Sequence, residues 1–468
     1  MRCSRRTIGL VAVLLLCAVI LYNICTPLDD STAKDGVALP SPPELPNEAQ
    51  PALLFSRPLP QSDGDQALKP TVAADHDHRV VVVAQDAMTR NSRLVWWRST
   101  DQGKSWGPPT AMPNWPADYN FMGDPWLQTD RRDRFQMVYV SIHFSADINA
   151  SATGYLVFRR SLDAGQTWPH PIEVAKDADR PVLGVSPNGK NLVIAATMGE
   201  RTADFPKKPL NGNDPQFAEK HAAAFRFFSA IFCSDNRGRT WKSLPGPLWQ
   251  THAIPFAVVT DDRGQIACSW IAEGQGSRSG VSLTTDRGQT WAETELVANL
   301  QPDRSHSFNG ARFPVLALDG SGTVHVAFIG SGAKGIFVRR SHDWRKWEDP
   351  TQLSADEVDE VRMPAIAAFG PMVHVMWMER KNVRWQTYYR GSKDHGLIWS
   401  ERLLLSTPHP GSTLIEDAGF NLVSEDDQSS MTDDGDGITH AVWPVAGPPG
   451  KAPGRIWHAA IRWQGIAR

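Results

Sequence analysis

From Pro70 onward, apolar and polar side chains alternate at period two in short bursts separated by turn residues. Pro70 leads into TVAADHDHRVVVVAQ, Pro125 into WLQTDRRDRFQMVYVS and Pro181 into VLGVSPNGKNLVIAA. Pro255 leads into FAVVTDDRGQIACSW, Pro314 into VLALDGSGTVHVAF and Pro364 into AIAAFGPMVHVMW. Each stretch reads as two β-strands joined by an Asp- or Gly-containing turn. A third strand follows, such as Leu94 to Arg98 or Tyr155 to Arg160, and a fourth, such as Pro171 to Val174.

Between the third and fourth strands an octapeptide recurs. Its good copies are Ser99 to Trp106 (STDQGKSW), Ser161 to Trp168, Thr284 to Trp291 and Ser392 to Trp399. Ser234 to Trp241 has Asn236 at the Asp position, and Ser341 to Trp347 is shortened and lacks the Gly. Ser and Asp accept hydrogen bonds from turn amides, Gly supplies a backbone angle closed to other residues, and Trp caps the junction. One such turn is weak evidence, but six in register mean one structural unit per copy.

The pattern therefore predicts an all-β chain, a β-propeller of four-stranded antiparallel blades. After Trp399, three further strands (Gly419 to Val423, Ile438 to Val445, Arg455 to Trp463) make a seventh blade without an octapeptide, six blades being the alternative. This last unit lacks a fourth strand, and Ala52 to Phe55 is expected to supply it and close the ring. The division expected is 1–25 signal peptide or signal anchor, 26–50 disordered Pro-rich tether and 51–468 propeller. Arg2, Arg5 and Arg6 precede the apolar run Ile8 to Tyr22, which is short for a span, so membrane attachment through residues 8–22 stays open. The expected location is secreted, periplasmic or membrane-anchored, with the propeller outside the cytoplasm.

Composition narrows the function classes. A net charge of -3 leaves no footprint for nucleic acid, and a monomer is expected. Of five cysteines, only Cys233 and Cys268 lie in the propeller, where a disulfide is the minority reading. His143, His306 and His409 lack metal-ligand spacing, and Asp433 to Gly437 reads as a strand turn, so neither metal nor cofactor is expected.

The octapeptide resembles the Asp box, or bacterial neuraminidase repeat, of sialidases and related propellers, and the likeness covers roughly residues 70 to 465. It implies an extracytoplasmic glycoside hydrolase acting on terminal acidic sugars. The competing reading is a non-catalytic propeller that binds glycan or protein. Family chemistry uses three arginines on a carboxylate, a Tyr nucleophile with a Glu, and an Asp acid/base. Topology places the ligand face at the Pro ends of the inner strands, opposite the octapeptides. Arg180, Arg312 and Arg362 open their units there, whereas the first unit has Lys69-Pro70 in place of the family's Arg-Ile-Pro-like opening. The candidate catalytic residues are Tyr119, Asp124 and Glu379, with Glu200, Glu273, Glu360 and Asp417 as further carboxylates on that face. The plain alternative for each Arg is an ion pair with a neighbouring carboxylate.

Overall fold

A computed structural model describes residues 50–62, 68–86, 91–144, 153–201, 225–244, 253–272, 278–297, 314–330, 335–381, 384–406, 428–445 and 454–463. The strands within them form seven four-stranded sheets, each an antiparallel blade, and six of them run in chain order from the inside outward. The inner strands are Leu68–Ala74, Phe121–Thr129, Ala178–Val185, Ala253–Thr260, Val315–Leu318, Glu360–Phe369 and Ser430–Asp433. Hence the inner strand of blade seven is Ser430–Asp433, whereas Gly419 to Val423 lies outside the described residues. Closure follows expectation. Pro51–Pro58 pairs antiparallel with Arg455–Trp463 and becomes the outermost strand of blade seven.

The core is partitioned between blades. Seven apolar clusters fill the seven junctions; Val81, Val83 and Leu94 of blade one, for example, pack against Met122, Phe135 and Tyr139 of blade two. Every described residue from Val80 to Ala84 is fully buried, because both faces of a middle strand meet a neighbouring blade.

The octapeptide turns repeat one hydrogen-bond pattern. In the first, Gly103 N donates to Ser99 Oγ (2.9 Å), Ser105 N to Asp101 Oδ1 (2.9 Å) and Ser105 Oγ to Asp101 Oδ2 (2.6 Å). Thr284, Asp286, Gly288 and Thr290 reproduce it, and Asn236 substitutes for Asp by bonding Thr240 through both its amide atoms. Gly165 has φ +76°, and a Cβ there would sit 2.5 Å from Val81 Cγ2 of the preceding blade. Gly103, Gly238 and Gly288 press in the same way on His458, Phe158 and Leu244 of their preceding blades. Glycine thus serves both the turn and the docking of one blade on the next.

These turns back onto the inner hairpins at the far ends of the inner strands: Gln102 N donates to His78 O, and Arg237 N to Lys190 O. The octapeptides accordingly lie on the face opposite the Pro ends. Cys233 and Cys268 are free thiols, both raised to about 12 by burial.

Candidate active site at the proline mouth

Prolines at the inner-strand openings do more than start strands. Five of these six strands shift register there: between Leu68 and Thr71, Gly123 and Trp126, Asp179 and Val182, Pro255 and Ala257, and Arg362 and Ala365. The residue just before the proline is left-handed in four blades: Lys69 (φ 50°), Asp124 (φ 52°), Arg180 (φ 49°) and Met363 (φ 49°). Such bulges re-aim one side chain. Here the four re-aimed residues all line one depression of about 660 Å³ at the axis. A left-handed non-glycine residue costs of order 1 kcal/mol or more, and four around one axis single out this end as the candidate site.

The depression is divided. Trp126, Pro181, Pro255, Phe256, Val315 and Met363 give it apolar walls, while Lys69, Asp124 and Arg180 charge the side built by blades one to three. Lys69 Nζ pairs with Asp124 Oδ1, the two side chains being 12% and 15% exposed. Behind Asp124 stands Asp179, whose backbone carries Arg180 and whose Oδ1 accepts from Arg180 N at 3.0 Å. The two carboxyls are hydrogen-bonded to each other. Burial raises Asp179 to about 6, and the charge of Asp124 pushes the same way against Arg180 and Lys69. Burial also works against the charge of Asp124, yet Lys69, Arg180 and the Asp179 hydrogen bond together hold it below the usual carboxylate range. Below about pH 6 the two carboxyls in contact thus hold one proton between them, on the Asp179 side.

The other candidates are distributed as follows. Arg180 and Asp124 meet at the depression. Arg362 points away from it: Nε donates to Glu360 Oε1 at 2.5 Å, and the guanidinium lies 5.0 Å from the Trp385 ring centre. Glu360 also pairs with Arg380 at 2.9 Å, so Arg362 sits in a brace within its own blade. Arg312 lies outside the described residues, as do Glu273 and Asp417. Glu379 is buried, accepting from Trp377 Nε1 (2.8 Å) and Arg402 Nη1 (2.7 Å), and it too holds strands together. Tyr119 is 9% exposed and stacks on Tyr155 with ring centres 5.3 Å apart. Their hydroxyls hydrogen-bond, which raises Tyr155.

Lys69, read from the sequence only as a departure, and Asp179 are the members of this charged cluster that the sequence did not put forward as candidates. The signal was the place next to proline. Lys69, Asp124 and Arg180 directly precede their prolines, whereas Arg312 and Arg362 stand one residue further back. In a strand that single step turns a side chain to the other face.

No family model matches the chain. A sialidase of Bacteroides fragilis (strain YCH46) is 27% identical over 225 residues, which are 44% of this chain and 38% of that protein. The chain carries a seven-bladed β-propeller and is similar to that sialidase over this stretch alone, well under half of the relative's length. Among solved structures, one is a protein of unknown function from Dyadobacter fermentans DSM 18053. It aligns over 89% of this chain and 100% of its own, at 13% identity and TM-score 0.48. A Hadza microbial sialidase covers 92% and 99% at 12% identity and TM-score 0.46. An α-L-arabinanase of Penicillium chrysogenum complexed with arabinobiose covers 89% and 100% at 12% and 0.47.

The propeller has five tyrosines beyond Tyr22, all of them described, and none lines the depression. Tyr139 and Tyr389 are fully buried; Tyr389 accepts from Trp463 Nε1 at 2.9 Å, and burial raises its hydroxyl far above the usual range. Among the described residues no group of three or more His, Cys, Asp or Glu side chains is placed to hold a metal ion.

Proposed function

We propose that the protein is a glycoside hydrolase for glycans ending in an acidic sugar, and that Asp124 with Asp179 is its acid/base unit. One observation carries this: two cations and a proton-sharing carboxyl pair converge at the axial depression. With its one proton the cluster of Lys69, Asp124, Asp179 and Arg180 has a net charge of about +1, which suits an anionic sugar. Perturbed carboxyls in a cleft are a recognised mark of catalytic sites.

Two-carboxylate glycosidases keep their carboxyls roughly 5 to 10 Å apart, so a hydrogen-bonded pair acts as a single acid/base rather than as acid plus nucleophile. Asp124 faces the depression and touches substrate; Asp179 stores the proton behind it. In this reading the pair protonates the glycosidic oxygen as its bond to the anomeric carbon breaks. Water adds to that carbon, and the proton it releases recharges the pair. Arg180 and Lys69 orient the acidic group, and the apolar wall holds the rest of the ring.

Turnover is tested with a fluorogenic panel of sialosides, uronides and neutral glycosides. Hydrolysis of an acidic glycoside that is lost in Asp124→Asn supports the reading. No turnover on any substrate by folded protein contradicts it. The tyrosine placement favours a second reading, a propeller that binds acidic glycan without cleaving it, since no described Tyr could serve as nucleophile at the depression. Binding without turnover, equal in wild type and Asp124→Asn, would establish that alternative. The basic residues before Ile8 to Tyr22 support a propeller exported from the cytoplasm, which cell fractionation checks.

A further inference from the structure

The depression has a fourth side that neither the charged cluster nor the apolar wall explains. Gln428 and Ser429, entering blade seven, line it opposite the apolar blades. This short segment is anchored at both ends to other blades. Gln428 Nε2 donates to Pro125 O of blade two at 3.2 Å, and Ser430 Oγ accepts from Val72 N of blade one at 3.2 Å. Ser429 sits between these anchors, and its hydroxyl is buried with no hydrogen-bond partner among the described residues.

A buried hydroxyl without a partner forfeits about 1 to 3 kcal/mol, which a hydrogen bond from a ligand in the depression would recover. The adjacent Ser430 shows the contrast, for its hydroxyl accepts from Val72 N within the protein. Ser429 also belongs to the depression by position, lining it together with Asp124 and next in sequence to Gln428.

We infer that Ser429 is a specificity-determining residue of this site, one whose hydroxyl bonds a hydroxyl group of the bound sugar ring. This rests on the glycan reading of the depression and adds to it a direction. The acidic group lies toward Arg180 and Lys69, and a ring hydroxyl reaches across to blade seven. Anchoring by Gln428 and Ser430 fixes the Ser429 backbone before ligand arrives, so little ordering is lost on binding.

The test measures binding and turnover separately, using an N-acylated nonulosonic acid, a hexuronic acid and their monodeoxy forms. Wild type and Ser429→Ala are compared by ligand-observed NMR and, for the matching aryl glycosides, by KM and kcat. The expected result is about a tenfold weaker Kd in Ser429→Ala, a KM raised by the same factor, and kcat within about twofold. One monodeoxy sugar should bind wild type about tenfold more weakly and lose nothing further in Ser429→Ala. Because an unsatisfied polar group is removed, Tm should hold or rise. If the variant binds every sugar as wild type does, the role of Ser429 is overturned while the site reading stands. If wild type binds a sugar without hydrolysing it, the hydrolase reading fails and the Ser429 comparison is still decided by Kd. If wild type binds none of the sugars, both fall.

Discussion

The two mouths of the central channel are both rich in carboxylates, and they are built on opposite logic. At the mouth farther from the prolines, a cavity of about 1050 Å³ is lined by the inner-hairpin turns, among them Asp130, Asp319 and Asp434. Each of these caps its own turn. Asp130 accepts from Arg132 N and Arg134 N, Asp319 from Ser321 N and Thr323 N, Asp434 from Asp436 N and Ile438 N. Asp75 and Asp261 do the same. At the proline mouth nothing repeats. Lysine, aspartate, arginine and methionine occupy equivalent places in four blades, and the Asp124 carboxyl there meets Lys69 of blade one and Asp179 of blade three. Acidic residues that recur with the blades build the ring, and those that break the repeat make the site.

That contrast fails most visibly if Asp124→Asn keeps its activity. Loss of a positioned acid/base group lowers turnover by about 10²- to 10⁴-fold, and we expect that loss with little change in Tm. The converse substitution is Asp319→Ala. Its carboxylate also binds His325 Nε2 (3.0 Å) and His395 Nδ1 (2.8 Å) of the next blade, and these bonds hold it far below the usual range despite burial. Removing it should cost about 3 kcal/mol in denaturant unfolding and leave KM and kcat of the folded enzyme unchanged.

A smaller effect probes the ring itself. Gly165→Ala combines a left-handed backbone with a clash against Val81, and about 2 kcal/mol of destabilisation is expected, again without loss of turnover. Ser99→Ala removes the acceptor for Gly103 N and should cost about 1 kcal/mol. Either variant losing activity before stability would blur the distinction between the two faces.

Most of the ring was legible because strand alternation and the octapeptide are local signals. Pro70 and its counterparts fixed where each blade begins, and the missing fourth strand of the last blade pointed to Ala52 to Phe55. The inner strand of that blade was misplaced because it carries neither the proline nor the apolar run of the others; Ser430–Asp433 is polar in sequence. The candidate site was legible only in part. Asp124 and Arg180 could be named from their places beside proline. The left-handed turn that aims them at the axis is a backbone property which no side-chain pattern announces, so Lys69 read as a departure and Arg362 as a member. Asp179 gains its role from a partner 55 residues away in sequence, Asp124, through a desolvated contact between blades.

The proton shared by that pair gives the most direct test. Asp179 keeps its proton in the folded protein up to about pH 6, whereas an unfolded chain releases it near the ordinary carboxylate value. Folded protein therefore binds more protons in that window, and the contribution of Asp179 to stability declines as pH rises through it. Asp124 contributes with the opposite sign, its share being lost as pH falls below the usual carboxylate range. Turnover of an acidic glycoside should be measured from pH 4 to 8 in wild type and Asp179→Asn. The account predicts that wild-type kcat falls as pH passes about 6, and that Asp179→Asn is slower throughout and lacks this limb. A wild-type profile flat through pH 6, or one that Asp179→Asn reproduces, would contradict it.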